Sequence, residues 1–237
     1  MEGHGLNLQW IFAGFNMNAL IEKIIQNPLF LRLKNVVENN LYHDHEDAYS
    51  HSIKTKDVAL KEIKGDFISN PKAKEKFMMF TNGDFHGTKR ADIMILVALI
   101  HDIGKILHVK DNNTTHPLLV TNSTGLTACP GHEYWGSTIV GEVLKGLPLS
   151  EKVIDYIVSI IKLHDTFNAE YWVVRKDWPM DMVINDVKSR TEGLYKEVLF
   201  NIYCDCYNAA PFQEAKDVIA KIFNEPKLYE KHQYIIL

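Results

Sequence analysis

Residues 89–105 read KRADIMILVALIHDIGK, and the fold is decided by this stretch. Ile93, Leu96, Val97 and Ile100 recur at the helical period, so a helix over 89–102 buries the face they share. His101 falls on that face four residues after Val97, with Asp102 beside it. A polar side chain on a buried face costs free energy unless it is paired or holds a metal. The helix thus ends on two residues that need a chemical reason to be there.

The same period predicts helices over 16–40, 50–64, 71–80, 132–145, 151–165, 179–188, 191–209 and 211–223, with few alternating runs suited to strands. Asn70 before Pro71, Ser150 before Glu151, and Pro211 after Ala209–Ala210 are the residue pairs with which helices begin. An all-α chain is expected. Two segments break the pattern: a short polar one, 81–88, and a long one, 106–131, rich in Asn, Thr, Pro and Gly. The long segment directly follows His101-Asp102 and is expected to be a lid or substrate-facing insertion, or else a plain surface excursion.

Hydrophobic residues make up 46% of the 237 residues and charged residues 24%, which excludes disordered, collagen-like and disulfide-scaffold chains. The net charge of −4 offers no clustered positive charge for a nucleic-acid backbone or an anionic membrane, and the lysines at 54, 56, 61, 64, 72, 74 and 76 are interspersed with acids. No stretch approaches the roughly 18 apolar residues of a membrane span, and the N-terminal residues lack the basic start of a secretion signal. Cys129, Cys204 and Cys206 form neither a disulfide framework nor a zinc knuckle, so a reducing, cytoplasmic compartment is expected. Cys204 and Cys206 point about 200° apart around a helix and are read as core packing.

Eleven histidines are the compositional feature to follow. His164 continues the apolar face of Ile157, Ile160 and Ile161; His132 heads a stripe of Trp135, Ile139 and Val143; Asp205 extends the face of Leu194, Val198 and Ile202. His51 shares a face with Thr55 and Val58. Taken singly, each is an ordinary buried histidine or cap. Together, four histidines and two aspartates on five helices would be several independent costly burials in one small domain. A metal centre accounts for them at once, because imidazole and carboxylate are the ligands that borderline divalent ions take. Two ions sharing a carboxylate bridge use all six.

His101-Asp102-Ile103-Gly104-Lys105 resembles the HD motif of the HD-domain superfamily in its HD-x-GK form. His51, in the segment 46–52, is similar to that family's first histidine, Asp205 to its final aspartate, and Gly131-His132-Glu133 and Leu163-His164-Asp165 to the two extra histidines of its dinuclear members. The pattern spans about 45–210. The resemblance implies a single all-α HD-type domain over 1–237, with a helical extension over 1–40 and a C-terminal helix and tail over 211–237. It also implies that His51, His101 and Asp205 hold one divalent ion, that His132 and His164 hold another, and that Asp102 bridges them. The ions left open are Fe, Mn, Zn, Ni and Mg, and His and Asp suit the first four alike.

By the same resemblance the expected activity is metal-dependent hydrolysis of a phosphomonoester or phosphodiester, a nucleotide among the candidates, with Asp102 and Lys105 as catalytic residues and Lys105 as the cation for a phosphate oxygen. Inositol oxygenase and related mixed-valent di-iron oxygenases resemble the pattern equally, and there Lys105 would bind a substrate hydroxyl. A non-catalytic HD-type regulatory module is the third reading, against which all six ligands are present. Glu133 and Asp165 are candidates for orienting ligands, and His43 and His45 lie close enough to His51 to touch substrate. The aromatic segment 171–178 is open to a role as site cover, homo-oligomer interface or ordinary packing, the last being preferred.

Overall fold

A computed structural model describes residues 16–40, 43–111, 114–209 and 213–230. Among them, eleven helices carry the fold: α1 (Met17–Ile25), α2 (Pro28–Leu31), α3 (Ala48–Glu62), α4 (Pro71–Thr81), α5 (Arg90–Ile100), α6 (His132–Leu144), α7 (Glu151–Leu163), α8 (Ala169–Arg175), α9 (Met180–Arg190), α10 (Tyr195–Asp205) and α11 (Gln213–Phe223). The strands are short and pair only as antiparallel hairpins: β1 (Val37–Asn39) with β2 (Asp44–Asp47), β3 (Asp84–Phe85) with β4 (Thr88–Lys89), β5 (His108–Asp111) with β6 (Thr114–Pro117), and β7 (Val120–Thr121) with β8 (Thr127–Ala128). The fold is all-α, as expected. No described helix is long and apolar enough to cross a membrane.

Helix α5 is the axis. Every residue from Ile93 to Ile100 is buried, so the helix is apolar all round and needs neighbours on every side. Helices α3, α7 and α10 supply them, with α1 and α4 completing the shell, and α6 packs along α7. Away from α5's C-terminal end, Arg90 donates to the Tyr156 hydroxyl at 2.5 Å and the hydroxyl donates to Glu197, pinning α5, α7 and α10 together. An aromatic cluster of Phe67, Phe77, Phe200, Tyr203 and Phe223 fills the space between α4, α10 and α11.

Most predicted helices are present with small changes of boundary, and the Asn70 and Ser150 caps form as expected, each side chain accepting from the first-turn backbone. Pro211 lies outside the described residues. Three expectations are corrected. The helix predicted over 16–40 stops at Ile25, because Asn27 caps a new helix whose first residue is Pro28; beyond Asn35 the chain becomes β1. The segment 106–131 is built from two hairpins rather than irregular loop. The helix predicted over 191–209 begins only at Tyr195, after Glu192 and Gly193 adopt left-handed backbone, and ends at Asp205 with a 3₁₀ turn following. Helix α8 lies in the aromatic segment, where Trp172 is wholly buried against Phe167 while Val173 and Val174 are exposed.

Candidate metal centre

Helix ends bring the six predicted ligands together. His101 caps the C-terminus of α5 and His164 that of α7; Asp205 closes α10; His132 opens α6 after left-handed Gly131; His51 sits in the first turn of α3, which Asp47 caps. Ends of helices leave backbone carbonyls without intrahelical partners. Two of the histidines use such carbonyls, His101 Nδ1 lying 3.1 Å from the Ala98 oxygen and His164 Nδ1 2.7 Å from that of Ile161, while His132 Nδ1 lies 2.9 Å from the carbonyl of Cys129 in the loop before α6. A carbonyl only accepts, so each Nδ1 donates its proton. Nε2 is therefore the nitrogen left to bind an ion, and it is directed into the centre. His51 turns Nδ1 towards the Glu46 carboxylate at 3.8 Å and presents Nε2 in the same way.

The Nε2 atoms and carboxylate oxygens form two donor sets. In the first, Asp205 Oδ1 is 2.6 Å from His51 Nε2 and 3.4 Å from His101 Nε2; in the second, His132 Nε2 is 3.0 Å from His164 Nε2. Asp102 faces both sets with different oxygens. Its Oδ2 lies 3.3 Å from His101 Nε2 and 3.7 Å from His51 Nε2, while its Oδ1 lies 3.2 Å from His132 Nε2 and 3.8 Å from His164 Nε2. Two ligand atoms each ~2.1 Å from one ion at 90–110° are themselves about 3.0–3.4 Å apart, a range that includes the His101–Asp205 and His101–Asp102 separations of the first set and the His132–His164 and His132–Asp102 separations of the second.

Two further observations are accounted for by a cation there. His132 and His164 each use their Nδ1 proton on a carbonyl and turn their Nε2 atoms towards one another at 3.0 Å, the spacing of two ligands on one ion. His101 Nε2 is buried without a hydrogen-bond partner. His51, His101 and Asp205 form one group able to hold a metal ion, and Asp102, His132 and His164 another.

The electrostatics are those of a closely coupled cluster. Burial alone would lower His101 and His51, but Asp102 and Asp205 outweigh it and raise them to about 10 and about 9. Burial, with His132 and His101 beside it, pushes His164 down to about 3. Asp102 is buried and Asp205 half-buried, yet the adjacent histidines, with Lys105 in the case of Asp102, hold both well below the usual carboxylate range.

Lys105 is buried at the site with its Nζ 2.9 Å from Asp102 Oδ2 and 2.6 Å from Glu38 Oε2. Glu38 is a site residue that the sequence reading does not supply, because it falls inside the helix predicted over 16–40; in β1 it is 3% exposed while its neighbour Val37 is 45% exposed. His43 crosses His51 edge to face at 4.4 Å and lines the site, whereas His45 is exposed and pairs with Asp44. His86, His108 and His116 are on the surface, and His4 and His232 lie outside the described residues. Glu133 approaches His132 Nδ1 at 3.7 Å, and Asp165 lines the cavity beside His164. Cys204 is core packing; Cys206 is buried but reaches the cavity wall, and burial pushes both thiols up.

A cavity of about 330 Å³ opens over the ligands. Of the described residues of 106–131, only Thr127 to Pro130 line it, held by Thr127 accepting from the Asn39 backbone at 2.7 Å; the β5–β6 hairpin lies apart. No protein-family model matches the chain, and no curated protein is significantly similar to it.

Proposed function

We propose that the protein is an HD-type metallohydrolase that holds two divalent ions and cleaves a small phosphomonoester or phosphodiester. The observation that carries the reading is the Asp102 carboxylate, which turns one oxygen to each donor set. When bound, two such ions supply Lewis acidity towards a phosphoryl oxygen and lower the pKa of an attacking water. The chain's own groups do the rest. Asp102 fixes the spacing of the two sets. The carbonyl-anchored Nδ1 protons of His101, His132 and His164 hold the imidazoles in one tautomer. Lys105 commits two N–H groups to Glu38 and Asp102, leaving its third donor for a substrate oxygen. The cavity of about 330 Å³ admits a compact substrate, with Phe167 and Ile202 as apolar wall.

A second reading, a mixed-valent di-iron oxygenase acting on a small hydroxylated compound, is favoured by one observation: the charge of Lys105 is already met by Glu38. A cytoplasmic setting fits three free, buried cysteines. The deciding experiment is metal analysis of the purified protein, with p-nitrophenyl phosphate and bis(p-nitrophenyl) phosphate turnover under Mn, Ni or Zn. Phosphate or nitrophenol release that disappears in Asp102→Ala supports hydrolysis. An EPR signal of mixed-valent iron with substrate-dependent oxygen uptake, and no ester cleavage, replaces it with the oxygenase.

A further inference from the structure

We infer that Glu38 is a specificity-determining residue that restricts the cavity to substrates bearing a single anionic group. This rests on the metal-centre reading above and adds the substrate class. Among the described residues that line the cavity, Lys105 is the sole lysine or arginine, and four carboxylates accompany it: Glu38, Asp102, Asp165 and Asp205. Two divalent ions would leave the whole assembly with one net positive charge. That suffices to hold one phosphate group. A second phosphate or a carboxylate on the same molecule would meet Lys105 only with its charge already cancelled by Glu38, and Asp165 beside it, and an anionic group set among uncompensated like charges in a cavity is disfavoured strongly.

The placement of Glu38 is built rather than incidental. The β1–β2 ladder changes register between Glu38 and Asn39, a bulge that re-aims side chains locally. There the acid is turned inward while apolar Val37 is left in solvent. A purely structural pairing at this point gains little, because an apolar pair of similar volume commonly stabilises a fold as well as a buried ion pair does. What the ion pair changes is the charge of the cavity. Lys105 retains its hydrogen-bonding capacity, and Glu38 cancels its charge at 2.6 Å.

The test is calorimetric binding of two non-hydrolysable probes of nearly equal size, 3-hydroxypropylphosphonate and 3-phosphonopropionate, to the metal-loaded full chain. The wild-type protein should bind the hydroxyl compound at least about tenfold more tightly than the carboxylate compound. Glu38→Gln should close most of that gap, and Glu38→Gln/Lys105→Met should reopen it. Equal affinities in the wild type overturn the inference, and so does a gap that Glu38→Gln leaves intact. The wild-type comparison decides even where a variant fails to fold. A protein that retains ions yet binds both probes alike refutes the role of Glu38 alone; one that holds no ions and binds neither refutes the hydrolase reading with it.

Discussion

Gly104→Ala places one methyl group where the turn after α5 meets the start of α6. A Cβ at residue 104 would lie 2.0 Å from the His132 carbonyl oxygen, 2.4 Å from the Gly136 nitrogen and 2.9 Å from Gly136 Cα. All three are backbone atoms, so no side chain can rotate away. Real Cβ contacts essentially stop at 3.0 Å, and the first turn of α6 must therefore retreat by about 1 Å. Over-packing of this kind costs about 1–3 kcal/mol, and a forced backbone shift belongs at the upper end. For a domain of this size about 3 kcal/mol lowers Tm by about 6–12 °C. The displaced segment carries His132, and metal–ligand distances tolerate only about 0.2 Å, so metal content should fall along with Tm. Differential scanning calorimetry and metal analysis by mass spectrometry measure both. Gly141→Ala is the control: it lies in the same helix, a methyl there would have nothing within 4 Å, and the change should be neutral or stabilising by up to about 1 kcal/mol. A Gly104→Ala protein with wild-type Tm and metal content would show that α6 can move aside from residue 104 at no cost to the ligand set.

Asp102→Ala should empty both donor sets and abolish turnover while the far-ultraviolet circular dichroism stays helical; retention of full activity would end the metal-centre reading. His164→Ala should selectively lose one ion, leaving about one per chain, which metal analysis reads directly. Tyr156→Phe removes the hydroxyl between Arg90 and buried Glu197 and should cost about 1–3 kcal/mol in urea unfolding with metal content unchanged. His51 and His101 have native-state values raised to about 9 and about 10 from 6.5, so in chelator-treated protein their pairing with the aspartates stabilises fully below pH 6.5. That stability is lost as pH rises through 9 to 10. Metal loading near pH 7.5 should accordingly release about two protons, measured by calorimetry in buffers of differing ionisation enthalpy.

The six ligands are legible in the sequence because each interrupts or terminates an apolar helical stripe, and a polar residue in that phase has few cheap explanations. His51 carries the weakest signal of them, since its face is only Thr55 and Val58, and it is nonetheless buried beside Asp205. Glu38 is not legible. The period that runs through Leu20, Ile21 and Ile24 carries the helix reading past Asn27-Pro28, although that pair is a helix start of the same kind as Asn70-Pro71. The hairpins in 106–131 escape a sequence reading for a different reason. The β6 and β7 residues are all exposed, so their sequence carries no hydrophobic alternation, and the β7–β8 hairpin is seated by polar contacts with Asn39 and Asn40. Helix α8 is only seven residues long, and although its Asn168 cap is local, what holds it is packing against α11, a contact between segments distant in sequence.

His51 and Asp205 touch although 154 residues separate them, whereas His132 and His164 are 32 apart. The second pair can form as soon as α6 and α7 dock; the first exists only after α10 has closed on α3. Occupancy of the first set is in that sense a certificate of completed folding. A cation bound there stabilises only the finished chain, by mass action, and lends nothing to partly assembled forms. Chelation should accordingly lower the amide-exchange protection of the whole core together rather than loosen one segment. Metal supply would then act as a checkpoint on chain maturation as well as on chemistry.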